Sequence, residues 1–479
     1  MPLKQFTINF REFSQESLMR SNYKTAIFGI EIKNHIKQSD KQFVRLKDFF
    51  DIISGFAFKS EDYEQEGMPL IRIGDVGNDF DENNMVFLPE DYKDDYSKFL
   101  LKKNDIIVSL TGEGKLKSDI IEEGNKYLLN QRVGSLRAKK DINILFYFYL
   151  LNYFSLIKKQ FYWWSNGKTQ LNISPFDFLK IKIPLIPKST QDKIVAQIEP
   201  IEKKIKELKN QITPPQEVIN KVFAREFGFD ENLYNEFGKG MTAGTQAAQN
   251  RTLRTFETDF SEFSRSGILR FSTRFHNTAT KKLMDFLNSV KILKVSDITE
   301  SYEKGIQPKY NLDGEIPVVK IANLKNGYID FSETENITQE DFNKLDNKKK
   351  LRKKDIIICA TGKVSLGKID FYNYENEAIT SVDNYILRLN EKCNPLFFTY
   401  FFRSILGYFQ IERDFTGATN QIHLYWEQIS NFQIPDISLK HQQKIVDEIK
   451  AELDKQEEMK QKIETQRNKI DEIIENVIK

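Results

Sequence analysis

Short runs of β-branched residues recur along this chain between segments rich in polar residues and glycine. The runs PLIRIGDV and NDIIVSL lie in the first half, and PVVKIANL and DIIICA lie in the second. Such runs, bounded by Gly, Asn and Asp, are typical of strands. An aromatic segment follows in each half, from Leu145 and from Leu396, and predicts a buried helix of about three or four turns. Each half is therefore expected to fold as a mixed α and β module.

The two halves match each other in order. Sliding the sequence against itself by about 250 positions aligns Pro184 with Pro435 and Gln191 with Gln442. Similar strands would produce one or two such matches, but not an ordered set along the whole chain. We conclude that the chain is one duplicated unit. The matched segments are FREFSQESLMR from Phe10 with FSEFSRSGILR from Phe260, MPLIRIGDV with IPVVKIANL, KKNDIIVSLTG with RKKDIIICATG, the two aromatic segments, NGKTQLNIS with TGATNQIHL, and IPLIPKSTQDKIVAQIE with IPDISLKHQQKIVDEIK.

A heptad pattern of apolar residues follows each copy and predicts two coiled-coil helices. Pro214 and Pro215 break the first, and a second short helix is expected to end near Gly228. The second is expected to be one long helix, although Gln456 occupies a core position. The seam consists of Ile194, Ile198, Ile201, Ile205 and Leu208 in the first helix and of Ile445, Ile449, Ile463 and Ile470 in the second.

Each seam needs one partner, and the other seam of the same chain is the simplest one. An antiparallel pair would relate the two modules by an approximate twofold. A helix of about 24 residues is roughly 36 Å long, close to one turn of B-DNA. The alternative is that each helix packs only on its own module. We favour intramolecular pairing because strict heptads exceed the pattern of ordinary amphipathic helices.

These patterns give the expected domain organisation. The first module spans 1–188 and the central helical region spans 189–228. A linker at 229–259 leads to the second module at 260–439. The C-terminal helix occupies 440–479.

The overall charge gives no strong field for nucleic acid. The chain has 71 basic and 69 acidic side chains, so any DNA binding must depend on local patches or on partner subunits. Two cysteines without a CxxC pattern argue against a disulfide framework or a structural zinc. We expect no signal peptide, because the first residues contain no uninterrupted apolar segment, and the aromatic segments are too short to cross a membrane. We expect a cytoplasmic protein with no membrane association and no metal.

No catalytic constellation accompanies the duplication. The only double proline, TPPQ from Thr213, lies at a helix break and does not match an amino-methyltransferase loop. NGKT from Asn166 lacks the first glycine of a phosphate loop, and the second copy reads TGAT. A nuclease pattern at Asp75 and Asp91 is too short to be distinctive. We therefore predict no catalytic residues in this chain.

Two loops at equivalent places in both copies are the candidates for DNA contact. One loop follows the DII strand and carries lysines beside glycines, whereas the other has an aromatic base followed by short polar residues. Lysine can contact phosphates, while Thr, Asn and Gln can read base edges. The alternative is that the glycines serve turns and the lysines only solubility. The candidates are Lys115, Lys117, Trp163, Lys168, Thr169 and Gln170 in the first copy and Lys363, Lys368, Arg413, Thr419, Asn420 and Gln421 in the second.

The ordered features resemble the specificity subunit of Type I restriction-modification enzymes over nearly the whole chain. The segments that carry the resemblance are SGFAFKSEDYEQEGMPLIRIGDV from Ser54, NDIIVSLTG, NGKTQLNIS and the segment that enters the heptad helix. The second copy departs from this pattern, because SYEKGIQPKYNLDGEIP from Ser301 replaces GFAFKS. The resemblance implies an α+β fold with two mixed target recognition domains, joined by two long helices that pair as an antiparallel coiled coil.

The resemblance also implies the function and the partners. Each domain would read half of a split asymmetric site in double-stranded DNA. The chain would assemble with two modification subunits, which methylate DNA, and with restriction subunits. S-adenosylmethionine, ATP and Mg²⁺ are expected in those partners and no cofactor in this chain. The alternative is a non-catalytic coiled-coil scaffold that binds protein without DNA selectivity. A fused restriction-methylation enzyme is disfavoured because the methyltransferase loop is missing.

Overall fold

The computed structural model describes residues 23–77, 85–112, 116–166, 171–230, 275–276, 278–418 and 421–478. The chain divides into two compact units, Met1–Gln211 with Lys460–Lys479, and Ile212–Met459. Each unit contains one copy of the repeat. The matched segments at Phe10 and Phe260 lie outside the described residues, as does nearly all of the expected linker at 229–259.

The first unit contains these elements. The helices are α1 (Tyr23–Gln38), α2 (Tyr92–Asp95), α3 (Ile144–Tyr153), α4 (Ser155–Trp164), α5 (Pro175–Phe178) and α6 (Lys188–Lys209), with 3-10 turns at Leu46–Asp48, Ser60–Asp62 and Ser97–Phe99. The strands are β1 (Phe43–Arg45), β2 (Phe50–Ser54), β3 (Met68–Ile71), β4 (Val86–Leu88), β5 (Ile106–Ser109), β6 (Thr111–Gly112), β7 (Ser118–Ile120), β8 (Leu128–Leu129), β9 (Val133–Ala138), β10 (Leu171–Asn172) and β11 (Lys182–Pro184).

The second unit repeats them. The helices are α7 (Pro215–Phe227), α8 (Thr278–Ser289), α9 (Val295–Ile298), α10 (Gln339–Asn343), α11 (Pro395–Arg403), α12 (Ile405–Asp414), α13 (Trp426–Ile429) and the first part of α14 (Leu439–Ile478), with 3-10 turns at Ile321–Asn323 and Asn347–Lys349. The strands are β12 (Ile292–Lys294), β13 (Thr299–Lys304), β14 (Ile316–Val319), β15 (Glu335–Ile337), β16 (Ile356–Cys359), β17 (Ile369–Phe371), β18 (Ile379–Thr380), β19 (Asn384–Leu389), β20 (Thr416–Ala418), β21 (Gln421–His423) and β22 (Gln433–Pro435).

Three of the sheets have the same topology in both units, whereas β6 pairs with β10 in the first unit and β20 pairs with β21 in the second. A four-stranded antiparallel sheet runs in the order β2-β9-β5-β7 in the first unit and β13-β19-β16-β17 in the second. A three-stranded sheet, β4-β3-β8, recurs as β15-β14-β18, and its β3–β8 and β14–β18 pairs are parallel. The pair β1–β11 recurs as β12–β22. The predicted strands and the mixed α and β composition are confirmed, and the central strands β5 and β16 are buried along their whole length.

Gly55 and Gly305 occupy equivalent close contacts between neighbouring backbones. A Cβ atom on Gly55 would lie 2.2 Å from the carbonyl oxygen of Asn130, and one on Gly305 would lie 2.1 Å from that of Ser381. No side chain fits at such distances. The second copy departs from the GFAFKS pattern but keeps the glycine that this close backbone contact requires.

A buried ion pair also recurs at the same place in both four-stranded sheets. Asp105 accepts hydrogen bonds from Arg137 Nε at 3.0 Å and Nη2 at 2.6 Å. Asp355 accepts from Arg388 Nε and Nη2, both at 2.9 Å. Each aspartate also accepts a backbone N–H three residues before it. Each pair of carboxylate and guanidinium groups links adjacent strands of its sheet.

The aromatic segments differ from the single helix that we predicted. Each one forms two helices, α3 and α4 or α11 and α12, separated by an extended residue at Phe154 or Ser404. The break exposes the backbone N–H of the next residue. Ser155 donates this N–H to Glu475 Oε1 at 3.0 Å, and Ile405 donates it to Asn220 Oδ1 at 2.8 Å. The acceptors come from the ends of the helices that follow the repeats.

The two helices that follow the repeats, α6 and α14, each contact their own domain close to where they begin. Gln191 Oε1 accepts the backbone N–H of Asn143, the residue that caps α3, at 2.9 Å. Gln442 Oε1 accepts the backbone N–H of Asn394, which caps α11, at 2.7 Å. Both glutamines are buried, at 1% and 2% exposure. This contact explains why glutamine occurs at the same position in both copies.

The predicted break at Pro214 and the predicted long C-terminal helix are both confirmed. Because α7 starts with a proline pair, the backbone N–H of Thr213 has no partner within the helix. Gln456, which is 7% exposed on α14, accepts this N–H at 2.8 Å. The polar residue at the predicted core position therefore compensates for the break in the other helix.

Helix α7 lies antiparallel to the first part of α14 within the second unit. Glu226 contacts His441 and Lys444, at 2.8 Å and 3.1 Å, and Arg225 pairs with Glu448, whereas Thr213, earlier in the chain, meets the later Gln456. The seam residues Ile194, Ile198, Ile205, Ile445, Ile449, Ile463 and Ile470 are buried, and Ile201 and Leu208 are half-buried. Pairing of the two complete seams as one coiled coil stays a prediction.

Candidate nucleic-acid interface

The two candidate loops of the first domain are joined side by side. Strand β10, from the second loop, pairs with β6, from the first, so that Asn172 lies opposite Thr111. Thr111 Oγ1 donates to Asn172 Oδ1 at 2.7 Å, and Ile173 N–H donates to the carbonyl oxygen of Leu110 at 2.9 Å. The two loops therefore share one surface of the domain, which we call the loop surface.

The second domain joins its loops in the same way. Gly362 N–H donates to the carbonyl oxygen of Ile422 at 3.1 Å, and Leu424 N–H donates to that of Ala360 at 2.9 Å. Thr361 Oγ1 bonds Asp383 Oδ1 at 3.1 Å instead of a residue of the neighbouring loop. The backbone frame is thus preserved while the side chains upon it change.

Lys117 and Lys368 occupy equivalent positions at this surface. The carbonyl oxygen of Lys117 accepts Ser109 N–H at 2.9 Å, and that of Lys368 accepts Cys359 N–H at 2.8 Å. Each lysine directly precedes the edge strand of its sheet, β7 or β17. Lys117 is exposed and Lys368 is half-buried, while Lys363 is exposed on the turn before β17.

Six of the residues predicted to contact DNA belong to parts of the loops that the structure does not describe. Lys115, Lys168, Thr169, Gln170, Thr419 and Asn420 lie outside the described residues. Gln421 begins β21, where its backbone pairs with Ala418.

Trp163 and Arg413 lie at equivalent positions near the ends of α4 and α12, and both are half-buried. The ring of Trp163 lies 4.5 Å from that of Trp164, with its indole N–H beside Gly29 of α1. Arg413 lies 4.6 Å from the ring centre of Phe275, with Nε 3.4 Å from Asp414. These two side chains pack within their domains, and their assignment to DNA contact remains a prediction.

Two segments of the chain, 38–214 and 288–467, match the family model described as the Type I restriction modification DNA specificity domain. The chain belongs to this family. The two matched segments correspond to the two copies of the repeat and to the helix that follows each one, so the resemblance seen in the sequence is confirmed.

Individual relatives match shorter parts of this chain. It is 34% identical over 166 residues to the Type I restriction enzyme MjaVIII specificity subunit of Methanocaldococcus jannaschii, covering 33% of this chain and 38% of that one. It is 28% identical over 171 residues to the EcoAI specificity subunit of Escherichia coli, covering 33% of this chain and 28% of that one. The matches thus span well under half the length of these curated relatives.

Solved structures match over more of the chain. The S subunit of a Type-I restriction-modification system from M. genitalium is 15% identical, with a TM-score of 0.41, and the match covers 92% of this chain and 97% of that one. Among the described residues of this chain, no helix is both long and apolar enough to cross a membrane.

An aspartate lies two residues after Lys117 and two residues after Lys368, and each aspartate anchors a neighbouring turn. Asp119 of β7 accepts the backbone N–H of Gly77, and Asp370 of β17 accepts those of Asn326 and Gly327. Asp370 is only 1% exposed, and burial raises its pKa to about 6 although the nearby Arg403 guanidinium opposes the shift. The turn next to the edge strand is therefore held by a carboxylate that titrates in mildly acidic solution.

The raised pKa of Asp370 makes stability depend on pH. The folded state favours the protonated form of the Asp370 carboxyl. Its contribution to the free energy of unfolding is therefore complete below its unfolded-state pKa near 4, and it is lost as the pH rises through the folded-state pKa of about 6. We expect Asp370→Asn to become less destabilising, relative to wild type, between pH 4 and pH 7, by up to about 3 kcal/mol. Urea unfolding across this range measures the change.

The matched control for this titration is Asp313→Asn at an exposed aspartate of the same domain. The effect of Asp370→Asn on the free energy of unfolding should depend on pH more steeply than the effect of this control. Parallel pH profiles for the two variants would contradict a raised pKa at Asp370.

Proposed function

We propose that this chain is the DNA-reading subunit of a Type I restriction-modification complex, in which each domain recognises one half of an asymmetric bipartite site. The observation that carries the proposal is the duplicated loop surface. Both domains join the two loops by equivalent backbone hydrogen bonds, at Ile173 and Leu424. The family is described as a DNA specificity domain, which supports the same function.

The asymmetry of the proposed site comes from the loop residues. Thr111 bonds a residue of the neighbouring loop, whereas the equivalent Thr361 bonds Asp383, so different polar groups are left to face a ligand. Hydrogen-bonding side chains held on a rigid frame can distinguish base edges in the major groove. Two unlike sets of side chains on one repeated frame would read two unlike half-sites.

We further propose that the chain scaffolds two modification subunits and the restriction subunits. The helices that follow the domains support this role, since exposed charged side chains surround the seam on α6 and α14. Methyl transfer with S-adenosylmethionine and ATP hydrolysis with Mg²⁺ would then occur in those partners. This chain would contribute recognition and geometry.

Exchange of the loops tests the proposal. Both loops of the first domain, 111–117 and 165–172, are replaced by the matching residues of the second domain, and the full chain is co-expressed with its modification subunit. Methyladenine mapping should reveal a changed first half-site and an unchanged second half-site. The unchanged half-site serves as the internal control for assembly and activity.

Two outcomes would contradict the proposal. Methylation that ignores sequence in the wild-type complex would exclude a DNA-reading role and favour the protein-binding scaffold. That scaffold predicts weak salt dependence of any DNA binding, because affinity through phosphates falls steeply with salt. An unchanged motif after loop exchange would place recognition outside the loop surface.

A further inference from the structure

A cleft of about 540 Å³ lies in the first domain, between α1, the end of α4 and the β1–β11 pair. Two tryptophans, Trp163 and Trp164, form part of its wall. Among the described residues that line it, none is acidic. Its cationic side chains are Lys33, Lys37, Arg45, Lys180 and Lys182.

The arrangement of these cations is unfavourable for the protein alone. Arg45 and Lys182 lie directly opposite each other in the β1–β11 pair, and both are exposed. Like charges at such a pair destabilise a sheet. Lys37, on α1, adds another exposed cation to the same cleft. An anionic ligand in the cleft would relieve the repulsion between Arg45 and Lys182.

The second domain has one cation at the equivalent strand pair instead of two, so it lacks the repulsion. Lys294 and Gln433 take the places of Arg45 and Lys182 in the β12–β22 pair. Lys294 Nζ instead donates to Asn431 Oδ1 at 3.2 Å. The scaffold therefore does not require the cationic cluster, since the duplicated frame forms without it.

Lys180 has a separate part in the cleft. It pairs with Asp177 at 2.8 Å and lies 4.9 Å from the ring of Trp164 and 4.3 Å from that of Phe176. These contacts fix the wall of the cleft and neutralise Lys180. The attraction for an anion thus comes mainly from Lys37, Arg45 and Lys182.

We infer that this cleft binds the phosphate backbone of double-stranded DNA, as a second contact beside the loop surface and in the first domain alone. The inference rests on the proposed function. Trp164 ends α4, and the chain continues through Ser165 and Asn166 into the second candidate loop, so the cleft adjoins that loop along the chain. Exposed lysine and arginine side chains are the groups that contact the phosphates of duplex DNA.

The salt dependence of DNA affinity tests the inference. The double variant Lys37→Gln/Lys182→Gln removes two exposed cations, and glutamine is the residue that the second domain has at the latter position. With the full chain and duplexes of random sequence, the slope of log affinity against log salt should fall in magnitude by about 1.8. The control Lys98→Gln/Lys103→Gln removes two exposed lysines elsewhere in the same domain. Equal slopes for the two double variants would overturn the inference.

Tryptophan fluorescence provides a readout that does not depend on sequence recognition. The chain has 3 tryptophans, and Trp426→Phe leaves only Trp163 and Trp164 of the cleft. In this background a random duplex should change the emission, and Lys37→Gln/Lys182→Gln should weaken that response. A response to ADP without one to duplex would assign the cleft to a small phosphate ligand and overturn the DNA assignment, as would no response to either.

The two measurements also separate this inference from the proposed function. If the loop surface reads no sequence, methylation mapping fails while the fluorescence response to random duplex persists. If only the cleft assignment is wrong, the methylated motif remains and the response is absent.

Discussion

Replacing Arg388 with methionine is expected to lower the free energy of unfolding by about 3–5 kcal/mol, because it leaves a buried carboxylate without its cation. The Asp355 and Arg388 side chains are only 3% and 10% exposed. Arg388 also donates to the carbonyl oxygens of Lys348 and Lys350, so the substitution leaves these acceptors without their partner as well. Burial already raises the pKa of Asp355 despite the nearby guanidinium.

Denaturant unfolding at several pH values tests this expectation. Without Arg388 the pKa of Asp355 should rise further, so the loss should be largest at neutral pH and smaller in acid. Lys353→Met is the control, since it removes an exposed pairing with Glu375 that is worth about 0–1 kcal/mol. A loss at Arg388 no greater than that of the control would mean that solvent reaches the pair.

Replacing Phe223 with alanine is expected to destabilise the second unit by about 3–5 kcal/mol. Phe223 is fully buried on α7, and its ring lies 5.9 Å from that of Phe397 and 5.8 Å from that of Phe401. These two rings belong to α11, so the substitution removes the apolar contact that accompanies the Asn220–Ile405 hydrogen bond. Helix α7 should then separate more readily from α11.

Hydrogen exchange locates this effect. Phe223→Ala should reduce protection in α11 and α12, whereas Ile474→Ala, at a buried position beside Glu475, should reduce it in α3 and α4. Phe176→Ala, at a residue that is 72% exposed, serves as the control and should leave all four helices protected. Uniform loss of protection in both buried variants would argue against two separate units.

The sequence predicts those parts of the fold that depend on neighbouring residues. Alternation of β-branched runs with turn residues locates β3, β5, β14 and β16, and the proline pair locates the end of α6. The duplication shows that Gln191 and Gln442 matter, but their role in binding Asn143 and Asn394 requires coordinates. The loops could be predicted as equivalent elements, while the backbone bonds that join them could not.

The rest depends on contacts between distant residues. The single aromatic helix was a wrong prediction, because the acceptor that allows the break at Phe154 is Glu475, near the other end of the chain. The cationic cleft was missed for the same reason. Arg45 and Lys182 become neighbours only through strand pairing, and neither stands in a recognisable motif.

The hydrogen bond between Gln456 and Thr213 makes two distant positions of the sequence depend on each other in evolution. A related chain that lost the proline pair would give the Thr213 amide a partner within its own helix and leave a buried glutamine without its donor. A chain that lost only the glutamine would keep an unsatisfied amide. The two sites should therefore change together among relatives, with an apolar residue in place of Gln456 wherever the first helix runs unbroken.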